Sequence, residues 1–249
     1  MMDSGVGGIS VLREMTALMP QEDFHYFGDS LHAPYGTRTT EDVRALVFDI
    51  VDKFLKDGAK AIAIACNTAT SAAVASLRRA YPRLPLVGIE PAIKPASIEH
   101  PGENILVMAT PMTIREDKFQ KLLSKYKDNA NIIPLSCPGL MEYVEAGSID
   151  SSDVENFLRN LLEPYTDDRV QAVVLGCTHY PFVLPVIKRV LGEGVSVYDG
   201  GAGTARQLRR MLKATGLLRT EADTMGRVTF SNSDPSPERI ELCERLFRL

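Results

Sequence analysis

Short runs of β-branched and other apolar residues alternate along this chain with longer stretches in which apolar side chains recur every third or fourth position. The first kind predicts strands and the second helices, and their alternation predicts parallel strands joined by crossover helices, an α/β fold. Strands are expected over 24–27, 60–65, 86–89, 105–109, 132–135, 170–175 and 195–198. The clearest helix starts near Thr40, whose hydroxyl suits a cap. It carries Val43, Leu46, Val47, Ile50, Val51, Phe54 and Leu55 on one face and stops at Gly58. Further helices are expected after the Asp3–Gly8 turn up to Pro20, over 68–81, over 180–191 with Pro181 in the first turn, and from Pro237 to the end.

An internal echo organises the pattern. Lys60-Ala-Ile-Ala-Ile-Ala-Cys66-Asn-Thr and Gln171-Ala-Val-Val-Leu-Gly-Cys177-Thr-His share one layout: a buried strand, a cysteine, polar residues, then a helix. A weaker echo pairs Asp3-Ser4-Gly5 with Thr110-Pro111-Met112-Thr113 as helix openings. The expectation is two pseudo-symmetric lobes, each a mostly parallel sheet flanked by helices, with an active site in the cleft between them. The first lobe takes 1–92 plus 203–249, and the second takes 93–202.

Cysteine is often a small buried hydrophobe, so one such residue says little. Two of them, each where a strand ends and a helix begins, lie at the sheet edge where open α/β folds bind ligands. A helix start also lowers a thiol's pKa. Inverting a stereocentre beside a carboxylate needs such a pair, one group taking the Cα proton from one face while another delivers a proton to the opposite face. Each sulfur then has to come within roughly 3–3.5 Å of Cα. Asn67, Thr68, Thr178 and His179 bring donors to the two helix starts, which suits a carboxylate ligand, although plain capping explains Asn67 and Thr68 equally well. His179, two residues after Cys177, is placed to hold or relay that thiol's proton, with a solvated loop histidine as the alternative.

Other motifs weigh less. The turn from Asp3 to Gly8 does not match G-x-G-x-x-G and no strand is evident before it, so it suits anion or carboxylate binding through its amides better than a dinucleotide. Gly28-Asp29-Ser30 and Pro34-Tyr35-Gly36 form a connector or a wall of the site. Glu142 and Glu145 are one helical turn apart and expected at the surface, with one of them free to face the cleft. Cys137 and Cys243 are expected to be buried. The histidines show no metal-ligand spacing, so no metal is expected.

Composition trims the choice of function. The 249 residues are 45% hydrophobic and 24% charged, an ordinary globular balance. With 28 basic and 32 acidic residues the net charge is −4, and no basic face is indicated, so nucleic acid is disfavoured as a partner. Four cysteines without a C-x-x-C pair point to a reducing compartment, and the apolar runs are too short to span a membrane. A cytoplasmic protein is expected. Three readings remain open: a two-thiol racemase of aspartate or another acid with an activated proton; a two-lobe binder of acidic metabolites without chemistry; and a cysteine hydrolase using Cys177 and His179, which leaves Cys66 without a role.

Asp3-Ser4-Gly5-Val6-Gly7-Gly8, Pro34-Tyr35-Gly36, Ala65-Cys66-Asn67-Thr68-Ala69 and Leu175-Gly176-Cys177-Thr178-His179-Tyr180-Pro181, in this order and at these separations, resemble the cofactor-independent glutamate racemases of bacteria. The resemblance spans almost the whole chain. It implies interconversion of L- and D-glutamate without a cofactor, supplying D-glutamate for peptidoglycan, by a two-lobed α/β enzyme that forms homodimers. It implies Cys66 and Cys177 as the acid/base pair, Asp3 and His179 as their helpers, and Glu145 as a cleft carboxylate. Substrate contacts are implied for Asp3, Ser4, Tyr35, Gly36, Asn67, Thr68, Thr113, Thr178 and His179. In one respect the chain departs from the pattern: family members open with an apolar strand leading into Asp-Ser-Gly, whereas only Met1 and Met2 precede Asp3 here. Either the first residue here lies downstream of the true start, or Asp3 and Ser4 are held less firmly than in relatives.

Overall fold

The computed structural model describes residues 1–167, 169–220 and 225–249. The chain divides into two compact units, Met1–Glu90 with Gly201–Leu249, and Pro91–Gly200. The first unit is built from β1 (Met2–Asp3), α1 (Ile9–Leu18), β2 (Phe24–Gly28), α2 (Thr40–Lys56), β3 (Ile62–Ile64), α3 (Asn67–Ala80) and β4 (Leu86–Gly88). The second contains α4 (Ile93–Glu99), β5 (Asn104–Ala109), α5 (Pro111–Arg115), α6 (Asp117–Tyr126), β6 (Asn131–Ser136), α7 (Leu140–Glu145), α8 (Ser152–Leu162), β7 (Ala172–Leu175), α9 (Leu184–Leu191) and β8 (Ser196–Asp199). The chain then returns to the first unit with α10 (Gly201–Ala214), β9 (Val228–Asn232) and α11 (Pro237–Arg248).

Among the described residues every strand pairing is parallel. The first sheet runs β4-β3-β1-β2-β9 and the second β6-β5-β7-β8. In a parallel sheet both faces are covered, so central strands read as continuous apolar runs. In the second unit, alternate residues Ile105, Val107, Ala172 and Val174 of β5 and β7 share one core with Ile93, Ala96 and Phe119 from α4 and α6. The intervening Leu106, Met108, Val173 and Leu175 are buried as well.

Five points differ from expectation. A strand does precede the Asp-Ser-Gly turn: β1 is two residues long, yet it lies between β2 and β3, with Met2 opposite both Phe27 and Ile64. Asp3 is fully buried, which counts against the alternative that it is held loosely. The cap of α2 is Thr39 rather than Thr40, its side chain accepting from Asp42 N at 3.1 Å. The helix expected over 180–191 is split into a 3-10 turn, Tyr180–Val183, and α9, because Pro185 has no N–H to bond back across the junction. Finally, β9 was not expected at all; it pairs with β2 from Phe24↔Val228 to Gly28↔Asn232.

Candidate active site

In the first unit the expected residues gather at the carboxyl edge of the sheet. Cys66 follows β3 and caps α3, its Sγ accepting from Ala69 N at 3.4 Å, and only 6% of the residue is exposed. A thiol in this position faces the positive end of the helix dipole, which favours thiolate. Asn67 and Thr68 open the helix and are buried. Among the described residues Asn67 Oδ1 has no hydrogen-bond partner although it is buried, a state that costs about 1–3 kcal/mol unless a ligand supplies a donor. Asp3 is reached from the neighbouring strand, and its Oδ1 accepts from Gly5 N at 3.0 Å. The turn that follows is pressed against it: a Cβ on Gly8 would stand 2.7 Å from Asp3 Cβ and 2.9 Å from Ala65 Cβ, so only glycine lets the turn close over both residues. Ser4 is buried beside them.

Tyr35 and Gly36 belong to a 3-10 turn, Tyr35–Thr37, that packs on α3. The Tyr35 hydroxyl donates to Asp29 Oδ2 at 2.5 Å. Burial and this bond push the phenol above its ordinary value, and the charges of Cys66 and Asp3 add to the effect, which places all three in one neighbourhood. Sequence reasoning left Asp29 in a connecting loop; its one signal was an acid directly after a strand at the ligand-binding edge.

In the second unit Cys177 follows β7 and is 7% exposed. The residue before it has to be glycine, since a Cβ on Gly176 would meet Met108 O at 2.7 Å. His179 is buried with its two ring nitrogens engaged: Nδ1 lies 3.6 Å from Cys177 Sγ and Nε2 lies 2.7 Å from Glu145 Oε1. Burial alone would lower the imidazole's pKa, but the bonds and charges of Cys177 and Glu145 outweigh it and raise it well above 6.5. The result is a chain from the Glu145 carboxylate through the imidazolium to the Cys177 sulfur, which holds a proton beside Cys177. Glu142, one turn earlier on α7, stays exposed, and Glu145 is the one that turns inward. Thr178 is buried next to His179; Thr113, also buried, accepts from the Thr110 hydroxyl at 2.9 Å at the start of α5.

Cys137 and Cys243 are buried, and among the described residues no cysteine is in a disulfide. Burial, then the charge of Cys177, pushes the Cys137 thiol up to about 12, so it stays protonated. Strand β5 separates β6, which leads to Cys137, from β7, which leads to Cys177.

The Asp/Glu/hydantoin racemase family model matches residues 7–208. The chain belongs to this racemase family. Among racemases it is 47% identical over 247 residues to the glutamate racemase of Clostridium perfringens, covering 99% of this chain and 95% of that protein. Among solved racemases, the glutamate racemase isoform of Bacillus anthracis superposes with a TM-score of 0.86 at 32% identity, covering 100% of this chain and 92% of that one. The glutamate racemase of Francisella tularensis, solved in complex with D-glutamate, superposes with a TM-score of 0.85 at 25% identity and the same coverages.

Proposed function

We propose that this protein is a glutamate racemase that interconverts L- and D-glutamate by two-base chemistry at Cys66 and Cys177, with no cofactor. The observation that carries the reading is that each of the two units sets one thiol at the carboxyl edge of a parallel sheet with a carboxylate nearby, Asp3 in one and Glu145 through His179 in the other. In one direction a thiolate takes the Cα proton as the C–H electron pair stays on carbon, and the other thiol then protonates the opposite face of that carbanion. The thiol and thiolate states are now exchanged, and the reverse direction uses them in that order. His179, held protonated by Glu145, steadies the Cys177 thiolate, and Asp3 serves Cys66. The orphaned acceptor of Asn67 suits the substrate ammonium, while buried donors of Thr68 and Thr178 suit its carboxylate. Ser4, Tyr35, Gly36 and Thr113 complete the contacts.

The activity supplies D-glutamate for peptidoglycan in the cytoplasm, and the working form is a homodimer, which sedimentation of the purified protein tests. Among the described residues no helix is long and apolar enough to cross a membrane. The deciding experiment is turnover of each enantiomer in deuterated water without added cofactor, with aspartate assayed alongside. Racemisation of glutamate with deuterium gained at Cα supports the reading. Unchanged optical rotation, or inversion that keeps the original hydrogen, overturns it.

A further inference from the structure

Asp29 is the first residue beyond β2, at the sheet edge where Asp3 and Cys66 also stand, and it is 2% exposed. A carboxylate at that depth needs donors for its oxygens. Two residues face it: the Tyr35 hydroxyl donates to Oδ2 at 2.5 Å, and His32 Nδ1 lies 2.7 Å from Oδ1. The Asp29 amide donates to Asp3 O at 3.0 Å, continuing the β1–β2 pairing into the loop. Arg38 Nε donates to His32 O at 2.5 Å, so the segment from 29 to 38 closes around the carboxylate. A tyrosine hydroxyl has one proton, and that of Tyr35 is committed to Asp29. Its phenol therefore acts as a tether, and the acid/base work stays with the thiols.

We propose that Asp29 is a positioning residue: by holding the Tyr35 hydroxyl it fixes the Tyr35–Thr37 turn against α3 and keeps Tyr35 and Gly36 where they meet substrate in the Cys66 half of the site. The proposal rests on the racemase reading above. Cys66 hangs on β3 and α3, not on this loop, so loss of Asp29 loosens substrate binding and leaves proton transfer largely intact.

The test compares Asp29→Ala, Asp29→Asn, Tyr35→Phe and the Asp29→Ala/Tyr35→Phe double variant in the full chain, measuring kcat and KM for both enantiomers together with Tm. Losing a hydrogen bond to a buried charge should raise KM roughly 10-fold in Asp29→Ala, with kcat held within about 3-fold. Asp29→Asn keeps an acceptor for Tyr35 and should recover most of the loss. The double variant should be no worse than Asp29→Ala alone, because both changes cut the same bond. An unchanged KM, a fall confined to kcat, or KM increments that multiply in the double variant would overturn the proposal. Should Asp29→Ala not fold, Asp29→Asn with and without Tyr35→Phe gives the same comparison: the asparagine's near-normal KM must vanish when the hydroxyl is removed. Absence of racemisation in the unaltered protein would instead sink the functional reading itself.

Discussion

The proposed chemistry assigns proton transfer to Cys66 and Cys177, and replacing either sulfur by oxygen tests it directly. A serine hydroxyl is a far weaker acid than a thiol, so Cys66→Ser and Cys177→Ser should each lower kcat by at least about 100-fold, with Tm little changed. Both cysteines were legible in the sequence because the strand, cysteine and polar residues repeat within one chain. Glu145 was not legible as a bonding partner. It lies 34 residues before His179 and its inward turn depends on how α7 packs, which local pattern does not encode. That bond has a pH signature. The folded pKa of His179 is raised, so the stability it contributes is fully present below the unfolded value near 6.5 and is lost as pH rises through the higher folded value. Glu145→Gln removes one of the two groups that raise it. The decline in denaturant midpoint above about pH 6.5 should then be smaller and end at lower pH, and turnover should fall roughly 10-fold. A midpoint profile identical in the two proteins would show that Glu145 does not hold the imidazolium.

At the scale of single elements, short pieces carry a disproportionate share of the fold. Seven strands were readable because each is an apolar run bounded by polar or turn residues. Strand β1 was not, since two residues give no period to read, and β9 was hidden because Val228–Asn232 alternates weakly and stays half-buried along the sheet's outer edge. Helix ends were legible only to within a residue, as the shift of the α2 cap from Thr40 to Thr39 shows. Thr39→Ala should cost about 1 kcal/mol by removing the bond to Asp42 N, measured by denaturant unfolding, and should leave activity alone. Gly176→Ala should be far more damaging. Its new methyl group would be driven into a backbone carbonyl at 2.7 Å, so β7 and β5 have to move apart at a cost of several kcal/mol, and Cys177 moves with them. Both Tm and racemisation should drop in that variant.

Across the whole molecule, the closing segment is as important to the first unit as the opening one. Strand β9 pairs with β2 over five positions, Ser233 N donates to Gly28 O at 2.9 Å, and Leu242, Cys243 and Leu246 of α11 are buried. A chain ending before Val228 gives up three buried side chains, the aliphatic ones worth roughly 1.5–3 kcal/mol each, along with a strand. Circular dichroism should show partial unfolding, and racemisation should be lost although no residue assigned to catalysis has been removed. Because that strand is supplied so late, manufacture and maturation run in opposite orders. A ribosome releases the residues around Cys66 first, yet their sheet gains its edge strand only after Val228–Asn232 has emerged, by which point the uninterrupted stretch Pro91–Gly200 around Cys177 is already out. Folding during synthesis ordinarily completes the leading portion first; here the leading portion is completed after the middle one, so the cysteine that emerges first is the one whose sheet closes later.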